Sequence, residues 1–344
     1  MKRLFLILAG LAIAASLPTT AQARDSKRFC VFDVAGASGY VYNLLKNYRR
    51  KALKYGEDLT MTPYTDEDRV RADFDAGRCD LIAVTDMGVR HYNRFTGSIS
   101  AIGAVPRYED LQVLLHILSS RRVADKMEQG DHTVLGVAPM GAAYLFVNDR
   151  SIDTVEALRG KRIAVFEGHY DARHMVEYVG AQPVRAKISN FARLFNRGEV
   201  DMAYAPAAAY EVLEMFRGMG ETGGIVRFPV GQVTVQLVAK TGTFDDEFIA
   251  HSRKAVSRLY SEAMRMIRQY EDTVPRERWV EIPAAARQGY QEMLREVRID
   301  LDNNQSELGQ LAAQVYDDDM MTILRKVRCY TNPGGQECSS PDRE

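Results

Sequence analysis

Side chains that could hold a small ligand follow directly after apolar segments of strand length in this 344-residue chain. In open α/β sheets, ligands bind beyond the carboxyl ends of the strands, so polar and aromatic residues at those ends are the first candidates. We predict a ligand-binding cleft lined by Asp33, Ser38, Asp86, Met87, Tyr144, Phe166, His169, Tyr170, Arg173 and Tyr204. For the aromatic residues, a place in the cleft wall and a place in the core are both open.

Two of these residues carry a charge that could select the ligand. Arg173 could bind an anion through two parallel hydrogen bonds, but it could equally pair with Asp171 or another acid on its own helix. His169 could be a ligand group whose charge changes near neutral pH, and the alternative is an exposed loop histidine. The sequence leaves both choices open.

The small-residue turn at 36–39 precedes a predicted helix that Ser38 could cap, because a hydroxyl can bind the amides of a first helical turn. The turn lacks the lysine and hydroxyl pair of a nucleotide phosphate loop. The helix amides could still face an anionic group. A plain tight turn is the other interpretation.

The sequence shows no constellation typical of catalysis. Ser38 has no histidine at a motif spacing, and Asp33 and Asp86 are not placed by the sequence as an acid–base pair. The acidic run Asp317–Asp319 is typical of a solvated helix face rather than a metal site. We therefore predict a protein that is not an enzyme and that needs no cofactor and no metal.

Residues 1–23 are typical of a secretory signal peptide, with Lys2 and Arg3 before an apolar run and a small-x-small cleavage site at 21–23. Cleavage removes two of the 45 basic residues, which leaves 43 against 46 acidic residues and a net charge of −3. This balance does not favour nucleic acid as a partner. Because no cysteine adjoins the cleavage site, we predict a periplasmic chain without a lipid anchor.

The four cysteines predict two disulfides, since an exported chain with an even number of cysteines usually forms bridges. Three pairings are possible. We favour Cys30 with Cys79, because each begins a predicted strand, and this choice leaves Cys329 and Cys338 to close a short C-terminal loop. A zinc site is the alternative, but no histidine or further cysteine lies at ligand spacing.

The elements that must position these residues alternate between strand and helix from Arg28 onward. This order implies an α/β fold with parallel sheets and right-handed crossovers, and the length suggests two lobes. Strands are predicted at 29–34, 59–64, 80–84, 133–138, 142–147, 162–166, 182–184, 200–204 and 233–238. Helices are predicted from Ser151 or Asp153 to Gly160, over 108–127 and 305–327, and through most of the chain after Phe244.

Several segments, by their order and spacing, carry a resemblance to a known family. They are Gly77–Leu81, Pro106–Asp110, Ser151–Ile163, Gly180–Val184, Leu194–Asp201 and Pro206. Together they resemble type II periplasmic solute-binding proteins, and more narrowly the solute receptors of TRAP (tripartite ATP-independent periplasmic) transporters. The likeness runs from the first strand to Lys240.

The resemblance implies a two-lobed periplasmic binding protein, each lobe a mostly parallel sheet flanked by helices, with a helical C-terminal extension. The expected parts are lobe 1 at 24–138, lobe 2 at 139–235, a return to lobe 1 with C-terminal helices at 236–328, and a loop and tail at 329–344. Such receptors usually place ligand-clamping residues where this chain has Ala143, Ala164 and Ala205. The usual organic-acid cargo is therefore not carried over.

The expected function is that of an exported receptor that captures a small solute between two lobes and delivers it to membrane transporter subunits. The solute could be anionic or bound by aromatic stacking. The alternative is a sensing or adaptor module on the same fold, because such a module would tolerate the loss of the clamp residues.

Overall fold

The computed structural model describes residues 26–303 and 315–340 of the chain. The predicted signal peptide at 1–23 lies outside the described residues, and so does the segment 305–314 of the predicted last helix.

Ten strands in the described part of the chain join into one sheet. They are β1 (Lys27–Phe32), β2 (Leu59–Tyr64), β3 (Leu81–Thr85), β4 (Glu128–Gln129), β5 (His132–Val147), β6 (Arg162–Phe166), β7 (Gln182–Ala186), β8 (Met202–Pro206), β9 (Gly224–Lys240) and β10 (Trp279–Val280).

The helices of the described residues cover the faces of this sheet. They are α1 (Tyr40–Lys54), α2 (Glu67–Asp75), α3 (Asp86–Val89), α4 (Arg94–Gly97), α5 (Tyr108–Leu118), α6 (Tyr170–Tyr178), α7 (Phe191–Asn196), α8 (Ala209–Val212), α9 (Phe216–Met219), α10 (Asp246–Ser257), α11 (Tyr260–Thr273), α12 (Ala284–Asn303) and α13 (Asp318–Thr331). None of these helices has the length and apolarity needed to cross a membrane.

The sheet consists of two parallel groups of strands joined by two long crossing strands. Its order is β2-β1-β3-β9-β5-β8-β6-β7. β1 pairs in parallel with β2 and β3, and β6 pairs in parallel with β7 and β8. β9 is antiparallel to β3 and β5, and β5 is antiparallel to β8. The predicted α/β fold with parallel strands and flanking helices is confirmed. We call β1–β3 the first half of the sheet and β6–β8 the second half.

The crossing strand β5 differs from the prediction, which placed two separate strands at 133–138 and 142–147. The structure has one strand from His132 to Val147. Gly141 adopts a φ of 120°, and the pairing of β5 with β9 shifts between Pro139 and Gly141. Glycine tolerates this positive φ, so the interruption seen in the sequence is a bulge within a continuous strand.

Two predicted helices are shorter than expected. The helix predicted over 108–127 ends at Leu118, where two serines follow, and continues as a 3₁₀ helix at Arg121–Met127. Ser119 Oγ donates to the carbonyl of His116, which offers the backbone an alternative to further α-helix. In the segment before Gly160, the structure forms only a 3₁₀ turn at Glu156–Leu158.

The predicted caps of that segment are also wrong. Thr154 Oγ1 accepts a hydrogen bond from the amide of Ala157 at 3.3 Å, and this threonine takes the role predicted for Ser151 or Asp153. Thr154 is closer to the turn than Ser151 and Asp153 are, and the residue directly before the turn, Val155, has no side-chain acceptor.

Both predicted disulfides are confirmed. Cys30 in β1 bonds to Cys79 before β3, with 5.9 Å between the Cα atoms, so this bridge links neighbouring strands. Cys329 in α13 bonds to Cys338 in the following 3₁₀ turn.

The C-terminal acidic run has two roles rather than one. Asp317 accepts hydrogen bonds from the amides of Asp319 and Met320, each at 3.1 Å, and so caps α13. Asp318 and Asp319 are exposed, as predicted for a solvated helix face.

Candidate functional site

A cavity of about 130 Å³ lies where the carboxyl ends of β1 and β3 face those of β6 and β8. A single water needs about 10–15 Å³ of such space, so the cavity can hold a small organic molecule. The crossing strands contribute Ala143 and Leu145 of β5 and residues 230–233 of β9. The site therefore lies between the two halves and against the strands that join them.

Six of the ten predicted ligand-binding residues line this cavity: Asp33, Asp86, Met87, Phe166, His169 and Tyr204. Five of the six lie at or after strand ends, where ligands bind in such sheets, and Tyr204 lies in the middle of β8. That they bind a ligand stays a prediction. Ser38, Tyr144, Tyr170 and Arg173 lie elsewhere.

Arg173 does not reach the cavity. Its side chain is 54 % exposed, and Nε donates to Glu177 Oε1 at 2.9 Å, one turn further along α6. The two residues are four positions apart and so lie on the same outer face of the helix. The interpretation as a surface ion pair on its own helix is the correct one, and the interpretation as an anion clamp is not.

Tyr144 points away from the cavity because side chains alternate along a strand. Its β5 neighbours Ala143 and Leu145 line the cavity, whereas the Tyr144 hydroxyl donates to Glu271 at 2.9 Å on the opposite face. The ring packs edge-on against Trp279, with 5.1 Å between the centroids. Tyr144 is thus part of the core.

Ser38 and Tyr170 also have structural roles. Ser38 is exposed and donates from Oγ to the carbonyl of Ala35 at 2.8 Å, and Gly39 rather than Ser38 is the N-cap of α1. Tyr170 is half-buried at the start of α6 and packs against the main core cluster.

Asp33 occupies the N-terminus of α1 with its own carboxylate. Oδ2 accepts from the amides of Val41 at 2.9 Å and Tyr42 at 3.1 Å, and Oδ1 accepts from Ala35 at 2.9 Å. A Cβ at Gly39 would lie 1.8 Å from Oδ1, so only glycine fits beneath the carboxylate. Burial raises the pKa of Asp33, and the three amides oppose that rise. The anion that the helix amides face is therefore a residue of the protein.

Asp86 follows β3 and is 1 % exposed. Its Oδ2 accepts from the Thr234 amide at 3.1 Å and from the Thr234 hydroxyl at 3.4 Å. Burial raises the pKa of Asp86 to about 7, although the nearby Arg90 guanidinium lowers it. Asp86 thus titrates near neutral pH at the wall of the cavity.

His169 is buried rather than exposed. Nδ1 lies 2.7 Å from the hydroxyl of Tyr204, and burial lowers the pKa of His169 to about 4. Nε2 has no hydrogen-bond partner among the described residues and lies 3.7 Å from Asp171. The ring is neutral at physiological pH.

Sequence reasoning missed a polar stripe on β9. Gln232, Thr234 and Gln236 alternate with valines, and all three are buried. Gln232 lines the cavity with 2 % exposure, and neither Nε2 nor Oε1 has a partner among the described residues. The available signal was the glutamine itself, because a strand buried on both faces has little reason to carry an amide.

Sequence reasoning also missed the buried ion pair of Arg90 and Asp171. Arg90, directly after α3, donates to both carboxylate oxygens of Asp171 in α6, at 3.2 and 3.1 Å. Tyr316 donates to the same carboxylate at 2.9 Å. Arg90 and Tyr316 hold the pKa of Asp171 well below its usual range. The pair ties the first half of the sheet to the second beside the cavity.

Two of the three alanines at the family's clamp positions lie at the cavity, and the third does not. Ala143 and Ala205 line the cavity, and Ala164 is buried in the adjacent core. Methyl groups at the wall leave the cavity largely apolar. The cavity is lined by aromatic rings and methionines. They are Tyr40, Met87, Met140, Phe166, Met175, Phe191, Tyr204 and Tyr270.

A family model described as solute-binding protein AdeT 1/2 matches residues 49–343. Probable solute-binding protein AdeT1 of Acinetobacter baumannii is 35 % identical over 312 residues, which cover 91 % of this chain and 100 % of that relative.

Solved structures show the same fold. A TRAP periplasmic solute-binding protein of Anaerococcus prevotii with bound D-glucuronate has a TM-score of 0.69 and 10 % identity, and covers 90 % of this chain and 99 % of that chain. A TRAP periplasmic solute-binding protein of Ralstonia eutropha H16 with bound (S)-2-acetolactate has a TM-score of 0.66 and 11 % identity. The match covers 84 % of this chain and 98 % of that chain.

Proposed function

This chain belongs to the AdeT 1/2 solute-binding protein family, and we propose that it is an exported, periplasmic receptor that captures a small solute in the cavity and delivers it to a membrane transporter. Residues 1–23 direct the export. The lobes are those expected from the sequence, 24–138 and 139–235, with 236–328 returning to lobe 1. They close over the solute by a hinge in β5 and β9.

The observation that carries the proposal is the side chain of Gln232. Its carboxamide is buried at the cavity wall, and neither of its polar atoms has a partner among the described residues. Burying an amide without a hydrogen bond costs about 1–3 kcal/mol. A solute that bonds to this amide removes that cost, so Gln232 has the properties of a ligand contact rather than of a core residue.

The second support is the division of the cavity wall between both halves of the sheet. Asp33 and Asp86 come from the first half, and Phe166 and Tyr204 from the second. A solute that contacts side chains from both halves stabilises the arrangement in which the halves lie close together, as a two-lobed receptor requires. In the proposed cycle, the solute leaves when the halves separate.

A thermal-melting screen of the secreted chain tests the binding. Organic acids, amino acids, amines, phosphonates and sugars are each added at 100 times the expected dissociation constant. One class should stabilise the fold by about 2.7 kcal/mol, which corresponds to about 4 °C for a chain of this size. Mass spectrometry should recover the solute unchanged, because the proposed receptor performs no chemistry.

A matched variant sharpens this test. Gln232→Met keeps the shape of the side chain and removes both polar atoms, so it should weaken binding of the solute without loss of stability. If no class of solute shifts the melting temperature of the folded chain, the receptor proposal is wrong.

Delivery is tested separately by crosslinking the chain in its native membrane. Recovery of integral subunits of a transporter, such as a TRAP permease, supports delivery. Recovery of a sensor kinase or an efflux component in their place would instead establish the adaptor function that the sequence left as the alternative.

A further inference from the structure

The charged groups that line the cavity are acids. Asp33 and Asp86 contribute carboxylates, and among the described residues no lysine or arginine lines the same space. Lys187, at the adjoining mouth, lies 3.4 Å from Asp68 and 3.9 Å from Glu167. An anionic solute would therefore meet two carboxylates and find no unpaired cation in this part of the chain.

Asp86 is an acid whose charge is not balanced by an ion pair with the described residues. Arg90, directly after α3, faces it, but this guanidinium is bonded to both oxygens of Asp171. Glu67 of α2 also faces Asp86, and it raises the pKa of Asp86 together with burial. Thr234 of β9 contributes neutral donors only. A cation that enters the cavity would supply the missing counter-charge.

Gln232 lies on the same face of β9 as the residue that contacts Asp86. Side chains two positions apart in a strand share a face, and Thr234 is two positions from Gln232. The Oε1 atom of Gln232 is therefore a second acceptor on the Asp86 side of the cavity. A cation with several N–H groups can use both acceptors.

Aromatic rings complete the wall. The centroids of Tyr40 and Tyr270 are 5.3 Å apart, and those of Phe166 and Tyr204 are 5.0 Å apart. All four rings line the cavity. Aromatic faces attract cations and also cover apolar surface.

Resting on the receptor function proposed above, we propose that the solute is an organic amine with an apolar body, bound as its ammonium cation. The ammonium donates to the carboxylate of Asp86 and to Oε1 of Gln232, and the apolar body lies between the aromatic rings. The negative charge of Asp33 at the end of α1 adds to the attraction. Ligands whose polar end is a carboxylate are excluded by the same charges.

Matched sets of probes test the charge of the solute. Each set carries an amine, a carboxylate and an alcohol on one body: 2-phenylethylamine with 3-phenylpropionate and 2-phenylethanol, and hexylamine with heptanoate and hexanol. Melting temperature and calorimetry on the full secreted chain at pH 7.5 compare the members of each set. We expect the amine to bind and its two partners to bind at least tenfold more weakly.

Two variants and one control locate the contact. Asp86→Asn should weaken amine binding about 30-fold or more, as the loss of one partner of a buried charge pair does. Gln232→Met should weaken it about fivefold, the equivalent of one hydrogen bond. Asp272→Asn, which removes the same charge from an exposed site on α11, should leave the affinity unchanged.

Proton release gives an independent readout. With the pKa of Asp86 at about 7, ammonium binding at pH 7.0 must ionise the protonated fraction, so about half a proton should leave per amine bound. Calorimetry in buffers of different ionisation enthalpy measures this number, and Asp86→Asn should abolish the release.

The outcomes separate this inference from the receptor function. Tighter binding of a carboxylate or an alcohol than of its matched amine would overturn the inference and leave the receptor in place, and so would equal amine affinity in Asp86→Asn. If neither set binds, the charge of any solute found in the broad screen decides: a cation supports the inference, and an anion or a neutral solute overturns it. Only a screen without any binder removes the receptor function itself.

Discussion

Replacing Asp86 by asparagine should stabilise the protein without ligand, and the gain should grow with pH. Burial raises the pKa of Asp86 to about 7, against about 3.9 for an ordinary aspartate. Between these values the folded protein holds a proton that the unfolded chain releases. Stability contributed by this group is therefore present at low pH and is lost as the pH rises through about 7.

The size of the effect follows from the two pKa values. Their separation of about 3 pH units corresponds to about 4 kcal/mol at about 1.4 kcal/mol per unit, so the wild type loses about that much at pH 9 and less than half of it at pH 5. Asparagine never ionises and avoids this loss. The asparagine carbonyl can still accept the hydrogen bonds from Thr234. The amide of Met87, however, loses its acceptor, and the loss of this hydrogen bond costs about 1 kcal/mol. We expect a net gain of about 2–3 kcal/mol at pH 9 and little change at pH 5.

Urea unfolding of both proteins at pH 5, 7 and 9 measures this gain. Glu67 and Arg90 face position 86 in both proteins, so their own titration largely cancels in the difference. Asp272→Asn serves as the control and should follow the wild type at every pH. A stability difference between Asp86→Asn and wild type that is the same at pH 5 and pH 9 would refute the reasoning, because Asp86 would then titrate as an ordinary aspartate.

Three further predictions concern other residues. Burial lowers the pKa of His169 to about 4, below an ordinary value of about 6.5. The free energy of unfolding should therefore fall by up to about 3 kcal/mol as the pH drops from 6.5 to 4. In urea titrations, His169→Gln should show a smaller fall over the same pH range. Arg90→Met and Asp171→Asn should each cost about 3–5 kcal/mol, since each leaves a buried charge unpaired, and a double-mutant cycle should show less than additive loss. Serine at both Cys30 and Cys79 removes a bridge across 49 residues and should cost about 4 kcal/mol in guanidinium unfolding; an unchanged midpoint would contradict it.

The sequence was sufficient for the parts of the fold that repeat locally. Apolar runs of strand length located β1, β3 and β6. A cysteine lies at the start of each of the first two predicted strands, and this pattern led to the correct bridge. Strand ends then pointed to the cavity, because parallel strands present their carboxyl ends on one side. These inferences need only neighbours in the chain.

The rest of the candidate site could not be predicted from the sequence, because it depends on contacts between residues far apart in the chain and on the direction in which side chains point. The direction of Tyr144 follows from the strand register, and a shift of one residue would place it in the cavity. Arg90 and Asp171 are 81 positions apart, and no local sequence pattern predicts their contact. Arg173 was readable in principle, since Glu177 stands four positions later on the same helix.

The position of Gln232 has a kinetic consequence. It pairs with Ala142 in the β5–β9 ladder, one residue beyond the bulge at Gly141. In the hinge closure proposed above, the rotation axis passes through these strands, and displacement in a rotation grows with distance from the axis. Gln232, on one of these strands, then moves little, while Asp68 and Lys187, which pair at the mouth of the cavity, move farther. A solute would bind first to Gln232 while the mouth is open, so the width of the mouth would determine the association rate. The ion pair of Asp68 and Lys187 would determine how long the solute stays bound.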